Sequence, residues 1–404
     1  MHIAFVCVPA AGHVYPSLAV VAELVRRGHR VTYATSAKYA EAVRNAGATF
    51  FPNGADLTAQ LPRHVGWPAN RENMAPMMTG LMGRLILGAR EEFPALLSRL
   101  EGDPPDALCY DAMTLMGRMA AAKLGLPDVA LVPSYASNEH FSLRELMPAQ
   151  MPPAMVEAWK QLRQLTADFA AEQGLADIGF MEGPPASLNI CFIPRDFQPA
   201  GDTFDERFHF VGPCLGDRGA EENWVPPAGP GPLLFVSLGT TPLNDRPDFF
   251  RMCLEAFGDD GWQVAMATGD RVDAAELGEI PGNVQVRPFF PQLAVLRHAS
   301  VFLTHAGMNS TMEALYFGVP LVAFPQQPEQ EANGRRVEEL GLGRRLDPTS
   351  PSVELLRTAV TEVSTDPQIR LNIDRMKAVV RTSGGPSAAA DAIENHVRNQ
   401  SPPE

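Results

Sequence analysis

The chain has 404 residues, 45% of them hydrophobic and 20% charged, the composition of an ordinary globular protein with room for two or three domains. Its formal net charge of -14 argues against a general nucleic-acid binder. Five cysteines, at 7, 109, 191, 214 and 253, form no CxxC pair, so neither a disulfide framework nor a structural zinc site is expected.

Residues 3–8, "IAFVCV", form a nearly continuous apolar run, as suits a strand buried on both faces of a parallel sheet. No basic leader precedes it and no apolar run is long enough for a membrane span, so a cytoplasmic enzyme is expected. "AAGHVYPS" then turns the chain. Leu18, Val21, Leu24 and Val25 share one face of a helix that ends near Gly28, and "HRVTYAT" supplies the next strand. A second such unit runs through "DALCYD", "AMTLMGRMAAAKLG" and "VALVPS". Between them residues 51–85 read as irregular, with Trp67, Met77 and Met78 among Pro and Gly, and so do residues 135–159, which hold Tyr135 and Phe141. These side chains suit core packing and loops; they equally suit an adaptable apolar pocket for an acceptor molecule.

Residues 216–231, "GDRGAEENWVPPAGPG", have the Gly, Pro and acid content of an exposed linker. Beyond it the α/β rhythm restarts, with strand candidates in "LLFVSLG", "QVAMAT", "VQVRPF", "VFLTHAG" and "LVAFP".

Open parallel sheets bind ligands at the carboxyl ends of their strands. His13, Asp111, Ser237 and Thr240, and the segment "THAGMNS" all follow expected strands. A helix starting near Asn309 or Ser310 would offer backbone N–H groups to a phosphate, although both residues equally suit helix capping. His13 by itself is as well read as a structural turn residue. No GxxxxGK[ST], GxGxxG or GxSxG is present, against a P-loop ATPase, a dinucleotide enzyme and a nucleophile-elbow hydrolase. No HExxH or carboxylate cluster points to a metal.

Three segments in order carry a more specific signal: "FFPQLAVL" (289–296), "THAGMNSTMEAL" (304–315) and "GVPLVAFPQQPEQEAN" (318–333). They resemble the nucleotide-sugar-binding signature of inverting glycosyltransferases of the UDP-glycosyltransferase superfamily. The N-terminal "AAGHVYPSLAVVAELVRRGHRVTY" and "PDALCYD" resemble the same family, in its bacterial macrolide and antibiotic branch. The resemblance implies the α/β fold called GT-B, two Rossmann-like domains whose parallel sheets face each other across a cleft. Residues 1–215 would bind the acceptor, 216–231 would link, and 232–404 would bind the nucleotide sugar, with the terminal helix able to pack back on the first domain.

The resemblance also assigns roles. Phe289 stands where tryptophan is usual for stacking on the base, the backbone of Phe290 would read the base edge, and Gln292 would lie near base and ribose. Glu313 would accept from ribose hydroxyls. His305, Gly307, Asn309 and Ser310 would hold the diphosphate, with Ser237 and Thr240 assisting. Glu329 and Gln330 would bind sugar hydroxyls; Glu329 stands where many relatives have aspartate, which bears on the choice of sugar. His13 would be the general base and Asp111 its partner, in a single inverting displacement that releases UDP or TDP. The implied co-substrate is UDP-glucose or a TDP-deoxysugar, with no separate cofactor and no metal; the partner is an apolar small molecule, not nucleic acid or membrane. A nucleotide-sugar epimerase and a non-enzymatic sugar-nucleotide-binding module are the alternatives.

Overall fold

In the computed structural model the described residues are 1–54, 71–142, 153–175, 178, 184–216, 224–227, 229–239, 246–258 and 261–400, the side chains of 71–79, 81, 82, 154 and 155 excepted. They divide into two compact units. The first takes the described residues through Gly216 and again from Ser383 onward; the second takes those between.

Among the described residues, the first unit holds seven parallel strands: β1 (His2–Val6), β2 (Arg30–Thr35), β3 (Thr49–Pro52), β4 (Ala107–Asp111), β5 (Asp128–Val132), β6 (Leu188–Cys191) and β7 (Phe208–Phe210), in the order β3-β2-β1-β4-β5-β6-β7. The crossovers carry α1 (Ala11–Arg26), α2 (Ala40–Asn45), α3 (Arg71–Gly102), α4 (Leu115–Leu124) and α5 (Pro153–Glu172). β1 and β4 are neighbours and every residue of both is buried, which is why they read as unbroken apolar runs. Alternation decides which face each side chain serves. Ile3 and Phe5 join Val20, Leu24 and Tyr33 under α1, whereas Ala4 and Val6 join Phe93, Met119 and Phe169 under α3, α4 and α5.

The second unit repeats the plan with β8 (Leu233–Ser237), β9 (Gln263–Ala267), β10 (Val284–Arg287), β11 (Ala299–Thr304), β12 (Leu321–Ala323) and β13 (Gly343–Arg345), in the order β10-β9-β8-β11-β12-β13. Its helices are α6 (Pro247–Phe257), α7 (Gln292–Leu296), α8 (Met308–Phe317), α9 (Pro328–Glu339), α10 (Val353–Thr365) and α11 (Pro367–Thr382). In both sheets the winding reverses between the first and fourth strands of the unit, at β1/β4 and at β8/β11. Such a reversal opens a crevice at the carboxyl ends of the strands.

The last helix, α12 (Gly385–Gln400), belongs to the first unit. Ala389, Ile393 and Val397 complete the core under α1. Arg27 pairs with Asp391 at 2.6 Å and His29 with Glu394 at 2.8 Å.

Several elements differ from expectation. "AAGHVYPS" is not a turn: α1 begins at Ala11 and carries Gly12 and Pro16 within it, because Val14, Pro16, Ser17 and Leu18 are all buried and packing overrides propensity. The irregular reading of 51–85 gives way to α3 from Arg71 onward, and that of 135–159 to α5 from Pro153. Gly and Met blurred the helical period of α3, whose later half seats Ile86, Phe93, Leu96 and Leu100 in the core. The strands β3, β6, β7 and β13, three or four residues long, are not among the expected strands. Among the described residues no helix is long and apolar enough to cross a membrane.

Candidate active site

In the first unit the switch point brings together residues far apart in the chain. Val6 and Tyr110 are in register on β1 and β4, so the start of α1 and the end of β4 lie side by side. His13, in the first turn of α1, meets Asp111, the last residue of β4, with Nδ1 and Oδ2 2.6 Å apart. Asp111 is 1% exposed, and its Oδ1 accepts the Met113 N–H at 2.9 Å. An ionised carboxylate can only accept, so it draws the imidazole proton to Nδ1 and puts the lone pair on Nε2. Behind the pair, Cys7 Sγ lies 4.0 Å from Asp111 Oδ2, and Ser17 Oγ lies 2.6 Å from the Tyr33 hydroxyl. Burial pushes both the Cys7 thiol and the Tyr33 phenol upward, which keeps this wall neutral beside the carboxylate.

Of the acceptor-pocket candidates, Trp67 and the side chains of Met77 and Met78 lie outside the described residues. Tyr135 and Phe141 are buried, edge to face at 5.9 Å, and Tyr135 also stacks on Phe197 at 6.1 Å. Their rings pack against one another within the first unit.

In the second unit Ser237 and Thr304 are in register at the ends of β8 and β11. His305 follows Thr304 and is buried, its N–H donating to the Ser237 carbonyl at 3.4 Å. Gly239 and Gly307 flank the imidazole so closely that a Cβ at either would run into the ring. Burial lowers the His305 pKa to about 4, against a weaker upward pull on the ring from the Ser237 backbone. The ring is therefore neutral near pH 7 and offers an N–H, not a charge. Thr240 lies outside the described residues.

Helix α8 starts one or two residues earlier than expected. Gly307 is its N-cap, with no side-chain cap, and Asn309 and Ser310 occupy the second and third helical positions, so the capping reading of those two residues is overturned. The first-turn amides of a helix point out of its N-terminus, the arrangement that attracts a phosphate. Gln292, the first residue of α7, donates from Nε2 to Ser310 Oγ at 3.2 Å and to Glu313 Oε2, tying two expected ribose-side residues and one expected diphosphate-side residue into one cluster.

Phe289 and Phe290 divide their work. Phe290 packs edge-on against Trp224 and Phe235 at 6.1 and 6.3 Å, with the Arg287 guanidinium 5.1 Å from its centre. Phe289 is 54% exposed, a flat apolar ring turned outward. Glu329 and Gln330 are the second and third residues of α9. Gln330 Oε1 accepts the Gln326 N–H at 2.8 Å, closing the helix entry. Glu329 Oε1 accepts from Asn333 Nδ2 at 3.2 Å. Gly239 and Asn333 had no role in the sequence-based site. The signals were present: a glycine directly after "SL", and an asparagine four residues beyond Glu329 on one helix face.

The family model for the C-terminal domain of erythromycin biosynthesis protein CIII-like proteins matches residues 258–395. The chain is 41% identical over 399 residues to the NDP-glycosyltransferase YjiC of Bacillus licheniformis, covering 97% of each. It is 38% identical to the demethyllactenocin mycarosyltransferase of Streptomyces fradiae over 97% of this chain and 86% of that one. The crystal structure of the calicheamicin glycosyltransferase CalG4 superposes with a TM-score of 0.83 at 36% identity, covering 99% of both chains. Two parallel-sheet units of one winding plan and similarity along nearly the full length lead to one conclusion: the chain belongs to the GT-B glycosyltransferases, in the branch of the macrolide and antibiotic enzymes.

Proposed function

We propose that this glycosyltransferase moves a sugar from a nucleoside diphosphate to a hydroxyl of an apolar natural product such as a macrolide or polyphenol, inverting the anomeric carbon. The observation that carries the reading is the 2.6 Å contact between His13 Nδ1 and the buried Asp111 carboxylate. An alcohol is a weak nucleophile near neutral pH and needs a base; a histidine held by a carboxylate is one.

The acceptor proton passes to His13 Nε2 while the hydroxyl oxygen bonds to the anomeric carbon. On the opposite face the bond from that carbon to the diphosphate oxygen breaks, and its electron pair leaves with UDP or TDP. Asp111 stabilises the imidazolium. The neutral His305 and the first-turn amides of α8 donate hydrogen bonds to the departing charge. Phe289 stacks on the base, Gln292 and Glu313 face the ribose, Ser310 beside them faces the diphosphate, and Glu329 and Gln330 take sugar hydroxyls. No step is assigned to a metal. The names of the Bacillus licheniformis and Streptomyces fradiae relatives support a nucleotide-linked donor and a natural-product acceptor.

Mass spectrometry over UDP- and TDP-linked sugars, crossed with macrolide and flavonoid acceptors, tests the reading. A hexosyl gain from UDP-glucose, or a deoxyhexosyl gain from a TDP-sugar, with the opposite anomeric configuration by NMR, is expected. Release of free or epimerised sugar with no glycosylated product from any acceptor would sink it.

A further inference from the structure

Asn333 lies in the middle of α9, with no exposed surface. Its Nδ2 donates to the Ala306 carbonyl at 2.8 Å and to Glu329 Oε1 at 3.2 Å. Both partners are acceptors, so the NH2 group must face them, and its two hydrogens can serve one each. The other end of the amide, Oδ1, is buried with no hydrogen-bond partner. A buried unpaired oxygen is unfavourable, so the directed NH2 outweighs it.

Ala306 is itself unusual. It is fully buried and has φ of 60°, left-handed backbone that a side chain with a Cβ takes at a steric cost. It stands between His305 and Gly307, so the direction of its backbone sets where the imidazole and the first amides of α8 point. Thr304 Oγ1 takes the Ala306 N–H at 3.3 Å and Asn333 holds its carbonyl, so the turn is pinned from both sides.

We propose that Asn333 is a positioning residue that locks the diphosphate turn at Ala306 to the sugar-reading carboxylate of Glu329, so that both ends of one donor are held at a fixed spacing. This rests on the donor roles given above to His305 and Glu329. Two groups recognising one ligand gain selectivity only when their separation is fixed, and one amide fixes it here. The lock makes Asn333 a determinant of which sugar is accepted, without touching the sugar.

The test compares Asn333→Ala, Ala306→Gly and the double variant. Affinity for UDP and TDP is measured by calorimetry, and kcat/KM for TDP-glucose against a TDP-deoxyhexose by product formation. In Asn333→Ala, nucleoside diphosphate affinity is expected to fall about five- to tenfold, the scale of one lost buried hydrogen bond, and the ratio between the two sugars to move toward one. Glycine adopts φ near 60° without steric cost. Ala306→Gly added to Asn333→Ala should therefore restore diphosphate affinity but leave the sugar ratio flattened. Should Asn333→Ala not fold, the double variant is read alone: a flattened ratio with normal UDP and TDP affinity supports the lock. A lowered melting temperature with an unchanged sugar ratio would make Asn333 merely structural and overturn the proposal. A native enzyme that binds neither UDP nor TDP would instead overturn the donor reading beneath it.

Discussion

Two histidines sit at the two switch points, and their surroundings are opposites. His13 is a partly exposed ring held 2.6 Å from an almost fully buried carboxylate. His305 is buried between two glycines, takes the Ser237 carbonyl on its backbone N–H, and is driven to a pKa of about 4. One ring has a carboxylate within hydrogen-bond reach; the other is kept neutral by burial. On the proposed reading, the same strand order serves a base in one unit and a neutral hydrogen-bond donor in the other. The difference arises from what stands beside each ring, not from residue type or topology.

The largest effect that could break this contrast belongs to His13. His13→Ala is expected to slow transfer to an aliphatic alcohol by roughly 10²–10⁴-fold, the scale of general-base catalysis, while leaving UDP affinity unchanged. Asp111→Asn should also slow transfer, because an amide cannot stabilise imidazolium and permits the wrong tautomer. A phenolic acceptor, which loses its proton more readily, should suffer less from either change. Single-turnover rates across pH 5 to 9 with saturating donor are the measurement. If His13→Ala keeps its aliphatic rate and pH profile while folded, the first histidine is no base and the comparison collapses.

A second effect concerns acid stability. The unfolded histidine has a pKa of 6.5 and the folded His305 about 4. Above 6.5 neither state is protonated and His305 adds no pH dependence. As pH falls from 6.5 toward 4 the unfolded chain takes up a proton that the folded one refuses, so stability drops, and the loss ends once the folded ring also titrates. The integrated loss is on the order of 3 kcal/mol. Denaturant titrations of the native protein and of His305→Asn should differ in slope over that window and run parallel above it. Equal slopes in the window would remove the electrostatic contrast between the two rings.

The smallest expected effect sharpens the donor side. Phe289 is 54% exposed, whereas Phe290 is packed on Trp224 and Phe235. Phe289→Ala should weaken donor affinity about three- to tenfold, the range of one aromatic contact, with little change in melting temperature. Phe289→Trp should tighten it. A melting temperature that falls as far as it does for Phe290→Ala would mark Phe289 as packing instead.

The sequence by itself determined strands β1, β2, β4 and β5 of the first sheet and β8 to β12 of the second, and the contiguous run 289–333, because buried parallel strands are read from local apolar runs and the expected donor residues follow one another along the chain. It also supplied His13 and Asp111 by resemblance. Their meeting across 98 positions follows from β1 and β4 being neighbours, which the strand order settles and no local window contains. The tertiary structure alone decided that "AAGHVYPS" is helical, that α12 completes the first unit's core, and that Gln292 is tied to Glu313. It alone decided that one histidine is paired and the other neutral. Propensity and pattern are properties of a few neighbouring residues, whereas burial, partner distance and the protonation state they impose depend on chain that arrives from elsewhere.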